Sequence, residues 1–181
     1  MSNHHEDMVK LYSTIKEELR FAEAKHAALM AFGVVILVAG IEYQQALTNQ
    51  TAFSFALTAL MMTIGITMLL NLLAIAPLLG KVMNNFSGAF GICKAEPENY
   101  LYFGYLACGQ VSVTKLLNFF SINHGDRNYH IPLAEQILSN ATVVQRKHRL
   151  FVYAINVLVV GILISVLSYV ICLVCSQNVP I

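Results

Sequence analysis

All eleven Lys and Arg residues of this chain lie within residues 1–26 or 80–149. Lys10, Lys16, Arg20 and Lys25 occupy the first segment, and Lys81, Lys94, Lys115, Arg127, Arg146, Lys147 and Arg149 the second. Three charge-poor apolar stretches separate or follow them. A helix crossing a bilayer needs roughly 20 mainly apolar residues, because hydrocarbon offers no partner to an unbonded backbone group. Short cytoplasmic loops collect Lys and Arg. The expected fold is therefore an all-α integral membrane protein with three transmembrane helices and cytoplasmic helical extensions. An odd number of crossings, with both cationic segments on one side, puts the N-terminus in the cytoplasm and the C-terminus outside.

The predicted organisation is a cytoplasmic amphipathic helix over 1–26, a first span over 27–47, an outer loop over 48–52 and a second span over 53–79. A cytoplasmic helical segment over 80–131 follows, then a helix over 132–149 that continues into a third span over 150–175, and an outer tail over 176–181. The apolar run 27–41 covers only about 22 Å as a helix. Ala24, the Lys25 stem, Tyr43 and Leu47 are expected to extend it, or the bilayer to thin locally. The second span is the clearest, with no charged residue between Glu42 and Lys81. A cleaved signal peptide fits the start poorly, because Glu6, Asp7, Glu17, Glu18 and Glu23 precede the first apolar run. A soluble protein with a buried first helix fits the 57% hydrophobic composition poorly.

Charge and motif exclude several classes of chemistry. A formal net charge of +1 does not suit a nucleic-acid binder, although the basic cytoplasmic face suits anionic lipid headgroups. Cys93 and Cys108 are expected inside, and Cys172 and Cys175 at the outer end of the third span, so the four cannot form one metal site. Apolar packing is their expected role; an outer disulfide or an inner redox switch is the alternative. His124 and His130 flank a loop, where a solvated or capping role is expected. There is no Walker loop, dinucleotide fingerprint or metalloprotease motif. The chain is expected to be no enzyme and to carry no cofactor or metal.

The cytoplasmic parts are patterned for packing. Met8, Tyr12, Ile15, Leu19 and Ala22 recur at spacings of four and three, placing them on one helical stripe that should run straight into the first span. A second stripe, Leu133, Ile137, Ala141, Val144 and His148, follows Pro132, which suits a first helical turn. The helix from 132 to 175 would extend about 66 Å, with roughly 25 Å projecting into the cytoplasm. Two such stripes are expected to pack on each other within one protomer, on copies of themselves, or both.

Between the stripes, the Asn, Ser and Gly after Lys81 read as a mobile connector. Tyr100, Phe103, Leu106, Val111, Val113, Leu116, Leu117, Phe119 and Phe120 then predict two short helices broken near Gly109 and closed by the turn His124-Gly125-Asp126. This segment could bind a nucleotide, with Lys115 and Arg127 meeting a phosphate and aromatics such as Tyr102 stacking a base. Aromatics that merely cap the stalk and cations that are merely solvated are the plainer reading. Within the spans, Asn71 should hydrogen-bond another helix, with Thr67, Asn156 or a symmetry mate as candidates, because an amide facing lipid is costly. Thr58, Thr63, Gly65 and Thr67 on the same helix favour close approach and oligomerisation.

These residues carry a resemblance. The run Phe21-Ala-Glu-Ala-Lys-His-Ala-Ala-Leu-Met-Ala-Phe-Gly33 resembles the motif leading into the membrane in the Pycsar transmembrane effector family, with Glu23 and Lys25 in the acid and Lys positions. Leu72-Leu-Ala-Ile-Ala-Pro77 resembles its proline exit, except that Ala76 stands where a basic residue is more usual. Tyr100-Leu-Tyr-Phe-Gly104 resembles its short Phe-Gly motif. Gln136-Ile-Leu138 through Lys147-His-Arg-Leu150 resembles its long charged helix into the last span.

The resemblance implies a bacterial antiphage effector. In that family a partner pyrimidine cyclase makes cyclic CMP or cyclic UMP on infection, and the effector then compromises the inner membrane. The expected partners are the lipid bilayer, further copies of the chain in a homo-oligomer, and this second messenger, with no nucleic acid. Two alternatives stand beside it. One is a constitutive membrane adaptor or assembly subunit, and the other a related effector activated by a different signal.

Overall fold

The computed structural model describes residues 3–46, 51–75, 99–107, 111–122 and 127–177. Among these, the chain forms five helices and no strand: α1 Asn3–Ala46, α2 Thr51–Ile75, α3 Phe103–Ala107, α4 Val113–Phe119 and α5 Arg127–Gln177. The chain is an all-α protein with three helices long and apolar enough to cross a membrane, within His5–Gln45, Phe53–Ile75 and His130–Val174. The connector after Lys81, the proline exit at Pro77, the turn at His124, Cys93 and Cys108 lie outside the described residues.

Two compact units divide the chain. The first comprises Met1–Ala24 and Pro77–Arg149, the second Lys25–Ala76 and Leu150–Ile181. Helices α1 and α5 run through both divisions without a break, as the unbroken periodicities require.

The first unit has an apolar core. Met8, Leu11 and Ile15 of α1 meet Leu106 of α3, Leu116 and Leu117 of α4, and Ala134, Ile137, Ala141 and Val144 of α5. Two short helices form at the expected places, interrupted between Ala107 and Val113. Helix α4 starts at Ser112, whose Oγ accepts from the Lys115 backbone N–H at 3.3 Å. It ends with Ser121 at φ 52°, where Ser121 N–H bonds the Asn118 carbonyl at 2.9 Å and Ile122 N–H bonds Leu117 at 3.1 Å. That pair of bonds closes the orphan carbonyls of the last turn and turns Ile122 back into the core beside Leu117.

Two details of α5 differ from expectation. Pro132 lies inside the helix, which begins five residues earlier at Arg127. Its missing N–H forgoes one bond, to the carbonyl of residue 128, and this early turn tolerates the loss. The buried stripe starts at Ala134, with Leu133 half-buried, and after Val144 takes in Lys147 rather than the exposed His148 before continuing at Leu150 and Ala154. A step of three after Val144 keeps the same azimuth as well as a step of four, and burial selected the former.

The second unit joins α1, α2 and the C-terminal part of α5. Tyr43 of α1 and Tyr169 of α5 flank Phe53 of α2, with ring centroids 5.6 and 5.7 Å apart. At the opposite end of the same helices His26 meets Asn71 and Phe151. Thus α2 runs antiparallel to α1, and α5 parallel to it. Small residues set the separation. A Cβ on Gly33 would lie 3.0 Å from Met68 Cγ, and one on Gly40 would lie 3.2 Å from Met61 Cγ. A Cβ on Gly161 would overlap the Thr63 side chain. Thr63 cannot readily turn away, because its Oγ1 donates to the Ala59 carbonyl at 2.9 Å. Close approach of this kind supplies the dispersion contacts that hold helices together where lipid is as apolar as the side chains.

Gly161→Ala should therefore destabilise the chain by about 1–3 kcal/mol through overpacking, despite the better helix propensity of Ala. Gly65→Ala is the control, since a Cβ there meets nothing within 4 Å, and should be near neutral. Unfolding in mixed micelles, followed by circular dichroism, measures both.

Candidate functional site

Each unit contains a polar pair with at least one buried member. In the first, Lys147 lies on the buried stripe of α5 and is only 7% exposed. Its Nζ donates to Glu23 Oε1 of α1 at 2.5 Å. The Glu23 side chain is 52% exposed. An ammonium stripped of water is costly unless an anion compensates it, and the half-hydrated carboxylate compensates it without being fully desolvated itself. Just before it in the chain, Arg146 has its Nε buried with no hydrogen-bond partner among the described residues.

In the second unit, His26 and Asn71 are both completely buried. Asn71 Nδ2 donates to the Thr67 carbonyl at 2.8 Å, leaving its Oδ1 as acceptor. His26 Nδ1 stands 2.5 Å from that oxygen and must carry the proton it donates. The Phe151 ring meets His26 edge-on, centroids 5.5 Å apart at 89°. Lys25 Nζ lies 6.0 Å from the centroid of the same Phe151 ring. Asn71 thus bonds another helix, as its depth required, through a residue that sequence reasoning did not name. Thr67 contributes a backbone carbonyl of the same helix, and Asn156 is exposed.

Glu23 and Lys25, chosen from the motif leading into the first span, point to different tasks. Glu23 pairs with Lys147, and Lys25 lies against Phe151. The signals for the missed partners were present in the periodicity. His26 follows Ala22 by four residues and precedes Gly33 and Gly40 by seven and fourteen, all buried. Lys147 follows Val144 by three on the buried face of α5.

The candidate nucleotide residues are distributed over the first unit. Tyr102 is 40% exposed, with its ring centroid 5.0 Å from that of Phe103. A Cβ on Gly104 would overlap the Tyr102 ring, so the Phe-Gly pair lets the tyrosine fold over the backbone. Lys115 is exposed in the first turn of α4. The side chain of Arg127 lies outside the described residues. Tyr100 stacks on Phe119 with centroids 4.5 Å apart at 17° and meets Tyr105 edge-on at 5.4 Å. These rings are engaged with one another; Tyr102 and the outer side of Phe119, 47% exposed, are what the cluster offers to a flat ligand. Among the described residues no His, Cys, Asp and Glu grouping could hold a metal ion.

A family model described as the Pycsar effector protein domain matches residues 7–174 of the chain. No curated protein and no solved structure matches it.

Glu23→Gln takes the compensating carboxylate from the Lys147 ammonium and is expected to cost about 1–3 kcal/mol, whereas Lys147→Met should cost less and should rescue Glu23→Gln in the double variant. Thermal unfolding in detergent distinguishes these orders. For the deeper pair, a double-mutant cycle of His26→Phe and Asn71→Leu should give a coupling of about 0.6–1.7 kcal/mol, the range seen for hydrogen bonds between membrane helices. A coupling near zero in the same unfolding measurement would mean that the two side chains do not stabilise each other.

Proposed function

The chain belongs to the Pycsar effector family, which makes it an antiphage defence effector, and from that premise we propose that it disrupts the inner membrane on sensing a cyclic nucleotide. The observation that carries this reading is the continuity of α1 and α5. Each contributes a buried stripe to the apolar core of the first unit and an apolar, spanning-length stretch to the second. In this reading a change in how the stripes pack in the first unit acts on the spans through α1 and α5, the two helices that contribute to both units.

In this proposal the first unit is cytoplasmic, the chain is an inner-membrane homo-oligomer, and it acts without catalysis. The ligand is cyclic CMP or cyclic UMP supplied by a partner nucleotide cyclase. Tyr102 offers a ring to the base, and Lys115 and Arg127 supply charge for the phosphate. Arg146 is a further donor, since its buried Nε has no partner among the described residues. The ligand acts by binding one packing of the helices better than another, and its differential affinity limits how far the equilibrium moves.

Purified full-length protein in phospholipid vesicles loaded with a self-quenching dye tests this reading. Cyclic CMP or cyclic UMP should release dye while cyclic AMP does not, and Lys115→Ala should raise the required concentration about 10- to 100-fold, the worth of one charged hydrogen bond. Equal leakage with and without cyclic pyrimidine nucleotides would remove the sensing step.

A further inference from the structure

Asn156 sits on α5 about 9 Å along the helix from Leu150, inside the apolar stretch. Its side chain is exposed, and among the described residues its amide makes no hydrogen bond. Other polar groups of the second unit are differently placed. Thr63, Thr67 and Ser165 donate to carbonyls of their own helices, and Asn71 is bonded to His26. An amide facing hydrocarbon with both its donor and its acceptor unused is costly, and another polar surface must meet it.

The surroundings of Asn156 specify that surface. Asn156, Val160, Leu163, Leu167 and Val170 follow one another at spacings of four, three, four and three, and all are exposed, Leu163 by 64% and Leu167 by 60%. This is the spacing that two helices packing at a shallow angle use, with one amide among aliphatic residues. Aliphatic side chains alone gain little by leaving lipid for a neighbour, so a bare seam would not direct association. A single buried amide does, and it fixes register, because any offset leaves it unbonded.

Helix α2 presents a stripe of the same spacing, Phe55, Thr58, Met62, Gly65 and Leu69, also exposed. Its polar member is already satisfied. Thr58 Oγ1 donates to the Ser54 carbonyl at 2.8 Å and accepts from Gln44 Nε2 at 3.2 Å. The polar member of this stripe therefore needs no further partner.

We infer that the face of α5 from Asn156 to Val170 is a self-association seam, occupied by the same face of a second copy of this chain with the two Asn156 amides hydrogen-bonded to each other. Copies inserted in one orientation place residue 156 at one depth. Two such helices related by a two-fold axis along the membrane normal bring the amides face to face. An amide is self-complementary, since each copy can donate through Nδ2 and accept through Oδ1. This seam deepens the proposed oligomeric effector, and it rests on the spanning assignment of that reading but on neither the nucleotide nor the leakage.

The test uses the full-length chain in phospholipid vesicles without nucleotide. With the native cysteines replaced by alanine, Leu163→Cys should cross-link under mild oxidation at least fivefold more than Ile162→Cys, off the seam, or Leu69→Cys on α2. Adding Asn156→Leu should lower the association constant roughly 5- to 30-fold, while Asn156→Gln retains most of it. Fluorescence transfer between N-terminally labelled copies, with the native cysteines in place, supplies a second measurement of the Asn156→Leu loss. Equal cross-linking at the three positions, stronger cross-linking at residue 69, or no change in either measurement with Asn156→Leu would overturn the seam. Because nucleotide is absent, failure of the seam leaves nucleotide-triggered leakage untouched, and failure of that leakage leaves the seam standing.

Discussion

Hydrocarbon supplies no hydrogen-bonding partner, and the second unit is organised around that deficit. Its backbone groups are satisfied within α1, α2 and α5 themselves, which is why long helices are the form it takes. The hydroxyls of Thr63, Thr67 and Ser165 turn back onto carbonyls of their own helices. The amide of Asn71 is too large a polar group to be satisfied that way completely. One end reaches the Thr67 carbonyl and the other takes the His26 proton, so α1 and α2 are tied together at a fixed register. The glycines at 33, 40 and 161 then let the backbones come close enough for dispersion to act.

The first unit answers to a different balance. Its core is built by burying Met, Leu, Ile and Val side chains from α1, α3, α4 and α5, and the short helix α4 is finished by local caps at Ser112 and Ser121. Removal of apolar surface from water is non-directional, so the unit tolerates small helices that hydrocarbon would penalise. Lys147 is the exception within it. An ammonium on a buried stripe has to find an anion, and the one it finds, Glu23, lies on the other long helix. In both units a polar pair links α1 to a neighbour across the sequence.

Several of these features were legible before any coordinates. The spans follow from charge distribution, and the stripes on α1 and α5 from spacing. The two short helices follow from aromatic and aliphatic clustering around Gly109. Asn71 could be singled out from its depth alone. Its partner could not, because His26 beside Lys25 reads as part of a polar boundary, whereas the fold places it on the same buried line as Ala22, Gly33 and Gly40. Likewise a step of three or four after Val144 is equivalent by periodicity, and polarity offers no choice between Lys147 and His148. The packing neighbour decided it, since Glu23 meets residue 147.

The amino-acid order by itself determined where helices form, which stretches suit a bilayer, and which faces are apolar. Those properties depend on residues close together along the chain: helical periodicity, hydropathy and the placement of charge. Tertiary structure alone decided which polar groups meet. The bonds His26 to Asn71 and Glu23 to Lys147, and the exposed amide of Asn156, unbonded among the described residues, depend on the azimuth and axial shift of one helix against another. A change of one residue in that register moves a side chain by about 100° around its helix, and several registers satisfy the apolar pattern almost equally well. Directional bonds and close glycine contacts separate those alternatives, and they come into existence when the helices touch.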